Sequence, residues 1–166
     1  LPTPEAGGPY ELTISGADST VVIKNLLIGE VWLCSGQSNM EMPLAGWPPN
    51  DLINNSAEEI AAADYPNLHL FTVQKEISGE EKSDCKGEWS VCTPKTAASF
   101  SATAFFFGKK LMNDLNIPIG LIHSSWGGTP VQSWTSKEYL ENVDDYKELL
   151  SNMDDYTQEL KVYMQW

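Results

Sequence analysis

Three short apolar, β-prone runs, near residues 28–34, 68–73 and 118–124, constrain this chain most. Each has the length and composition of a buried strand rather than of a helix. Helix-like segments separate them. Asp51 can cap a helix running to about Ala63, with Glu58 and Glu59 outward and Ile60 inward. A second helix, rich in Phe, runs from about Ser101 to Leu115; Asn116 suits its C-terminal cap, and Pro118 forbids continuation. Strands alternating with helices imply an α/β fold, with a mainly parallel sheet, helices on both faces and ligands at the strands' carboxyl ends.

The first run continues into Ser35-Gly36-Gln37-Ser38-Asn39-Met40, where small polar residues end the strand. A serine held where a buried strand turns into a helix exposes its hydroxyl at the mouth of the sheet. The free N–H groups of the helix start can stabilise an anion beside it. A serine nucleophile attacking an ester needs both features. The plainer alternative is that Ser38 only caps the helix. Gly127-Gly128-Thr129, after the third apolar run, allows a similar pair of readings: a tight turn, or a turn that offers a backbone N–H to a substrate oxygen.

Length and composition narrow the class. A chain of 166 residues, 42% hydrophobic and 20% charged, fits one soluble globular domain with a real core. No apolar run is long enough for a membrane span, and no basic-then-apolar leader opens the chain. With 10 Lys+Arg against 23 Asp+Glu, the formal charge of −13 excludes nucleic acid and anionic membranes as favoured partners. Three cysteines make no disulfide framework and no metal-ligand spacing; Cys34 reads as a buried small hydrophobe. Cys85 and Cys92 are either free thiols or a single bridge. Neither a metal nor a cofactor is expected.

Residues 10–24 alternate around a turn at Ala17-Asp18-Ser19, as a β-hairpin does, so residues 1–27 read as the tail of a preceding β-rich module and 28–166 as the main domain. From Ser136 the chain is acidic and helix-forming, with Tyr139, Leu140, Tyr146, Leu149, Leu150, Met153, Leu160 and Met164 as its apolar positions. The start at Leu1 and the end at Trp166 in mid-pattern point to a processed or excised piece.

Taken together, Gly29-Glu30-Val31-Trp32-Leu33-Cys34-Ser35-Gly36-Gln37-Ser38-Asn39-Met40-Glu41, Phe100-Ser101-Ala102 leading to Phe107-Gly108, and Gly120-Leu121-Ile122-His123-Ser124-Ser125-Trp126-Gly127-Gly128-Thr129 resemble the sialate O-acetylesterase family of SGNH-type serine esterases. The resemblance covers about residues 29–136, and its first block is the specific one. It implies a three-layer α/β/α flavodoxin-like domain that removes acetyl groups from sugar hydroxyls in a secreted, periplasmic or lysosome-like compartment. Ser38 would be the nucleophile. The Ser38 N–H and a backbone donor near Gly128 would bind the oxyanion, with Gln37, Asn39, Ser101, Gly127, Thr129 and His123 around the substrate. Trp126 or Trp47 would stack on the sugar.

Two departures from the family pattern matter. Gln132 stands where many relatives have Glu, four residues after the second glycine. Relatives also place the catalytic His, with its Asp three residues before it, near the C-terminal end of the domain. This chain has only His69 and His123, preceded at that spacing by Pro66 and Gly120. The implied enzyme is therefore a sialate O-acetylesterase whose sheet is incomplete at the C-terminus here, with self-association or pairing with a C-terminal segment expected. An acetyl xylan esterase, or a carbohydrate-binding or structural remnant, are the alternatives.

Overall fold

The computed structural model describes residues 4–78, 81–152 and 155 of the chain. Two strands, β1 (Gly7–Ser15) and β2 (Thr20–Ile28), pair antiparallel as a separate two-stranded sheet, closed by the Gly16 N–H to the Ser19 carbonyl at 2.8 Å. The hairpin is longer at both ends than residues 10–24, because register shifts between Gly7 and Leu12 let the pairing continue through the glycines. The chain then passes Gly29 into β3 (Glu30–Gly36). A side chain at Gly29 would run into the Pro118 carbonyl, so only glycine fits where β3 meets the strand beside it.

The main sheet has the order β3-β6-β4-β5. Strands β3, β4 (Tyr65–Thr72) and β6 (Ile119–Ser125) are parallel, so all three apolar runs share one sheet, as their sequence implies. The edge strand β5 (Trp89–Cys92) runs antiparallel to β4. Leu68, Leu70, Ile119, Leu121 and His123 alternate onto one face, where they are covered.

On that face lies α4 (Ala102–Leu115), with Phe105 fully buried and Gly108 packed so tightly that an added Cβ would sit 2.6 Å from Leu121 Cδ1. Each fully buried Phe or Leu here contributes roughly 1.5–3 kcal/mol. Asn116 ends α4 in the left-handed conformation at φ 53°, two residues before Pro118. Phe107, half exposed, meets Trp32 edge to face at 5.1 Å. The opposite face carries Val31, Leu33, Phe71 and Trp89. Val31 and Leu33 are 62% and 68% exposed, so no helix among the described residues covers this end of that face.

Smaller elements depart from the sequence reading for local reasons. The helix expected from Asp51 starts later, as α2 (Ser56–Ala61) with Asn55 as N-cap, because Trp47 and Asp51 pair their backbones at 2.7 and 3.1 Å and close a loop around Pro48 and Pro49. A five-residue α3 (Pro94–Ala98) follows β5, held by a reciprocal Thr93–Thr96 capping box. Among the described residues the acidic stretch forms α5 (Lys137–Leu140) and α6 (Lys147–Ser151) with a 3-10 turn at Asp144–Tyr146, after an earlier 3-10 turn at Val131–Trp134. Met153, Leu160 and Met164 lie outside the described residues. Cys34, Cys85 and Cys92 are all free thiols, Cys85 exposed and the other two buried, so the bridge considered for Cys85 and Cys92 is not formed. No helix among the described residues is long and apolar enough to cross a membrane.

Candidate active site

Adjacent parallel strands end side by side, and this places the two loops of interest together. Gly36 of β3 is in register with Ser125 of β6, and the Trp126 N–H donates to the Gly36 carbonyl at 3.1 Å. Gly36 takes φ +151°, which suits glycine and lets the chain leave β3 into α1 (Ser38–Glu41). Gln37 is the N-cap, without a side-chain capping bond, and Ser38 is the first helical residue. The exposed Ser38 hydroxyl therefore does not cap the helix, which removes the plainer reading. The N–H groups of Ser38 and Asn39 have no acceptor among the described residues, as expected in a first helical turn.

Against Ser38 packs the β6 turn. A Cβ added to Gly127 would lie 2.9 Å from Ser38 Oγ and 2.8 Å from Glu41 Oε2. Gly128 follows at φ +78°, with open space where a side chain would point. The Gly127 N–H donates to the Glu41 carboxylate, and the Lys75 ammonium pairs with that carboxylate from the other side. Burial opposes ionisation of Glu41, but the Lys75 and Gly127 hydrogen bonds outweigh it and hold its carboxyl below the usual range. Lys75 also lies over the Trp126 ring, 5.2 Å from its centroid.

This bracing has a direct consequence. The extra methyl of Gly127→Ala has no room between Ser38 and Glu41, so one of them must move. Displacement of a reacting group by about 1 Å can lower turnover about 10²-fold. A kcat loss of that order with an unchanged circular dichroism spectrum is expected; an alanine variant with unaltered kcat would mean that this turn does not position the serine.

The remaining candidates occupy different environments. Ser101, expected to line the site, is instead completely buried: it is the N-cap of α4, accepts the Ala104 N–H at 3.2 Å and points its hydroxyl at Met40 Sδ, 3.5 Å away. Burial and capping take it out of reach of a solvent-borne substrate. His123 is buried at 7% exposure, edge to face with Phe100 at 5.4 Å, with Nε2 2.5 Å from Ser125 Oγ and no hydrogen bond to Nδ1. Burial pushes its pKa below the ordinary histidine value, although Glu41 opposes this, so the ring is neutral at pH 7. His69 lies mid-strand in β4, on the opposite face, away from the strand ends.

The Thr129 hydroxyl donates to the Trp126 carbonyl at 2.7 Å and accepts the Trp134 indole N–H at 2.7 Å, so it stabilises its own turn. Asn39 is exposed, and its carbonyl accepts the Thr103 hydroxyl at 2.8 Å. Gln37 is likewise exposed beside the serine, while Gln132 donates to Tyr146 at 3.2 Å. A cleft of about 670 Å³ is lined by the Trp126–Thr129 turn, by residues between Val73 and Ser78, and by Lys82, Asp84, Cys85 and Lys86; Trp126 and Trp134 line it, whereas neither Ser38 nor Trp47 does. Among the described residues no group of three His, Cys, Asp or Glu side chains could hold a metal ion.

Glu41 and Lys75 were not singled out by sequence. The spacing of Glu41 from Ser38, three residues on one helical turn, could have flagged it. Nothing local marks Lys75.

Comparison with known proteins places this arrangement. A family profile described as carbohydrate esterase, sialic acid-specific acetylesterase matches residues 28–165. The sialate O-acetylesterase of Rattus norvegicus is 36% identical over 147 residues, and that of Homo sapiens 34% over 147 residues. Each match covers 81% of this chain but only 26% and 27% of the relatives, so the chain spans about a quarter of their length. The crystal structure of a carbohydrate acetylesterase from Xanthomonas citri superposes with a TM-score of 0.77 at 36% identity, covering 87% of this chain and 32% of that one. With the α/β sheet and the profile match over most of its length, the chain belongs to the carbohydrate esterase family of sialic acid-specific acetylesterases.

Proposed function

We propose that this chain carries the nucleophile of a carbohydrate O-acetylesterase of the sialate type, working by an SGNH-type serine mechanism. The observation that carries the reading is the uncommitted, exposed Ser38 hydroxyl at the β3–α1 turn, pressed against Gly127. Its Oγ attacks the acetyl carbonyl and gives its proton to a base. The carbonyl electron pair moves to oxygen, and the resulting oxyanion lies among the Ser38 N–H, the Gly128 N–H and the Asn39 side chain. Gly127 is not a donor in this scheme, because its N–H is held by Glu41.

Collapse of the tetrahedral intermediate breaks the ester C–O bond. The sugar alkoxide leaves with a proton, and water then releases acetate from the acetyl-serine. One oxyanion donor is worth about 2.7–4 kcal/mol of transition-state stabilisation. The base is assigned to a histidine outside these residues, since neither His69 nor His123 follows an Asp at the family spacing.

The test is acetate release by the enzyme from O-acetylated sialic acid and from acetylated xylan, side by side. A kcat/KM favouring the sialic acid is expected; equal rates, or a preference for xylan, would remove the sialate assignment.

A further inference from the structure

The cleft beyond the Trp126–Thr129 turn has a charge and shape that the hydrolytic step does not explain. A chain of formal charge −13 repels an anionic substrate, so an acidic sugar needs a local cationic anchor. Of the ten Lys+Arg residues, Lys75, Lys82 and Lys86 all line this one cleft. Lys75 is held by Glu41. Among the described residues, neither Lys82 nor Lys86 is in an ion pair, and both are exposed. The same wall also carries two carboxylates, Glu76 and Asp84, of which Asp84 accepts the Cys85 N–H at 2.8 Å.

The wall is tied to the site. The Val73 N–H donates to the His123 carbonyl at 2.9 Å, and the Gln74 N–H to the Lys86 carbonyl at 2.8 Å, so the base of the lysine-bearing loop is fixed to β6. Trp134 also lines the cleft, 43% exposed and oriented by the bond from its indole N–H to Thr129. One face of Trp126 is occupied by Lys75. Trp134 is therefore the aromatic surface open to a sugar face.

We propose that this cleft is the sugar subsite, in which Lys82 and Lys86 hold the carboxylate of a sialic acid while its ring lies on Trp134. Gly127 and Gly128 line the cleft, and Gly127 also packs against Ser38, so a sugar held there brings an acetyl ester to the turn beside the serine. The proposal rests on the esterase reading for its ligand class, but not for its test.

The experiment titrates the 166-residue chain with sialic acid, with its methyl ester and with glucose, followed by tryptophan fluorescence and amide chemical shifts. Saturable binding of the acid is expected, about tenfold tighter than the methyl ester, since two exposed charge contacts are each worth a few-fold. The Lys82→Met/Lys86→Met double variant should lose that preference, and Lys82→Arg/Lys86→Arg should keep it. Trp134→Ala should weaken the acid and its methyl ester alike. No saturable binding of the acid, equal affinity for acid and methyl ester, or an undiminished preference in the methionine variant overturns the proposal. Because binding needs no turnover, a full acid preference in this chain, with no acetylesterase activity in the catalytically complete enzyme that contains it, would remove the esterase reading and leave the subsite standing. Acetyl-ester hydrolysis without the preference would do the reverse.

Discussion

Replacing Ser38 with alanine is expected to lower acetyl-ester turnover about 10⁶-fold in a catalytically complete form of this enzyme, as loss of a serine nucleophile does in a preassembled triad. The same substitution should leave stability nearly unchanged. Ser38 is exposed, it does not cap α1, and its hydroxyl lies at the open end of the sheet. Substitutions at such positions fall within about 0.5 kcal/mol. The combination separates a reacting group from a structural one, since a cap lost to alanine would reduce stability by about 1 kcal/mol and leave the chemistry alone. Kinetics on an aryl acetate and on an O-acetylated sialic acid, with thermal melts of both proteins, measure the two quantities. An alanine variant within tenfold of the parent rate would end the nucleophile assignment.

How much of this could be read from the chain alone depends on how local the responsible interactions are. The three parallel strands were legible because each is a short apolar run followed by polar residues or Gly, and because Pro118 and Asn116 separate α4 from β6. Ser38 was legible for the same reason: the strand-to-helix turn is written in consecutive residues. The Glu41 network was not, since Lys75 and Gly127 reach Glu41 across 34 and 86 residues of chain, and no local pattern encodes that meeting. Ser101 shows the opposite error. Its position before an apolar helix identified a helix start, but one hydroxyl that is fully buried and bonded to Ala104 cannot also face a substrate. The four residues of β5 carry too little alternation to reveal a strand or its direction, and its antiparallel pairing is decided by β4.

By itself the 166-residue chain is expected to hydrolyse acetyl esters at least about 10²-fold more slowly than the full-length rat relative, because a positioned general base contributes about 10²–10⁴-fold. Ser38 needs a proton acceptor, and the geometry argues against the one histidine near the strand ends. His123 is buried, its Nε2 is engaged with Ser125 Oγ at 2.5 Å, and its ring is packed on Phe100. Its lowered pKa makes it neutral, and so chemically able to accept a proton, down to a pH below the ordinary histidine value of about 6.5. A reaction using His123 would therefore hold its rate through pH 6.5 and lose it only as the pH falls through that lower value. Without a histidine base the slow rate should instead climb steadily with hydroxide and show no such limb. The measurement is a pH–rate profile of the chain on an aryl acetate, with His123→Gln, Ser125→Ala and Ser38→Ala alongside. A rate matching the rat enzyme, with a limb below pH 6.5 that disappears in His123→Gln, would make His123 the base and overturn the assignment of that role to a residue outside the chain. Loss of the rate in Ser125→Ala but not in Ser38→Ala would move the nucleophile itself to the buried Ser125–His123 pair.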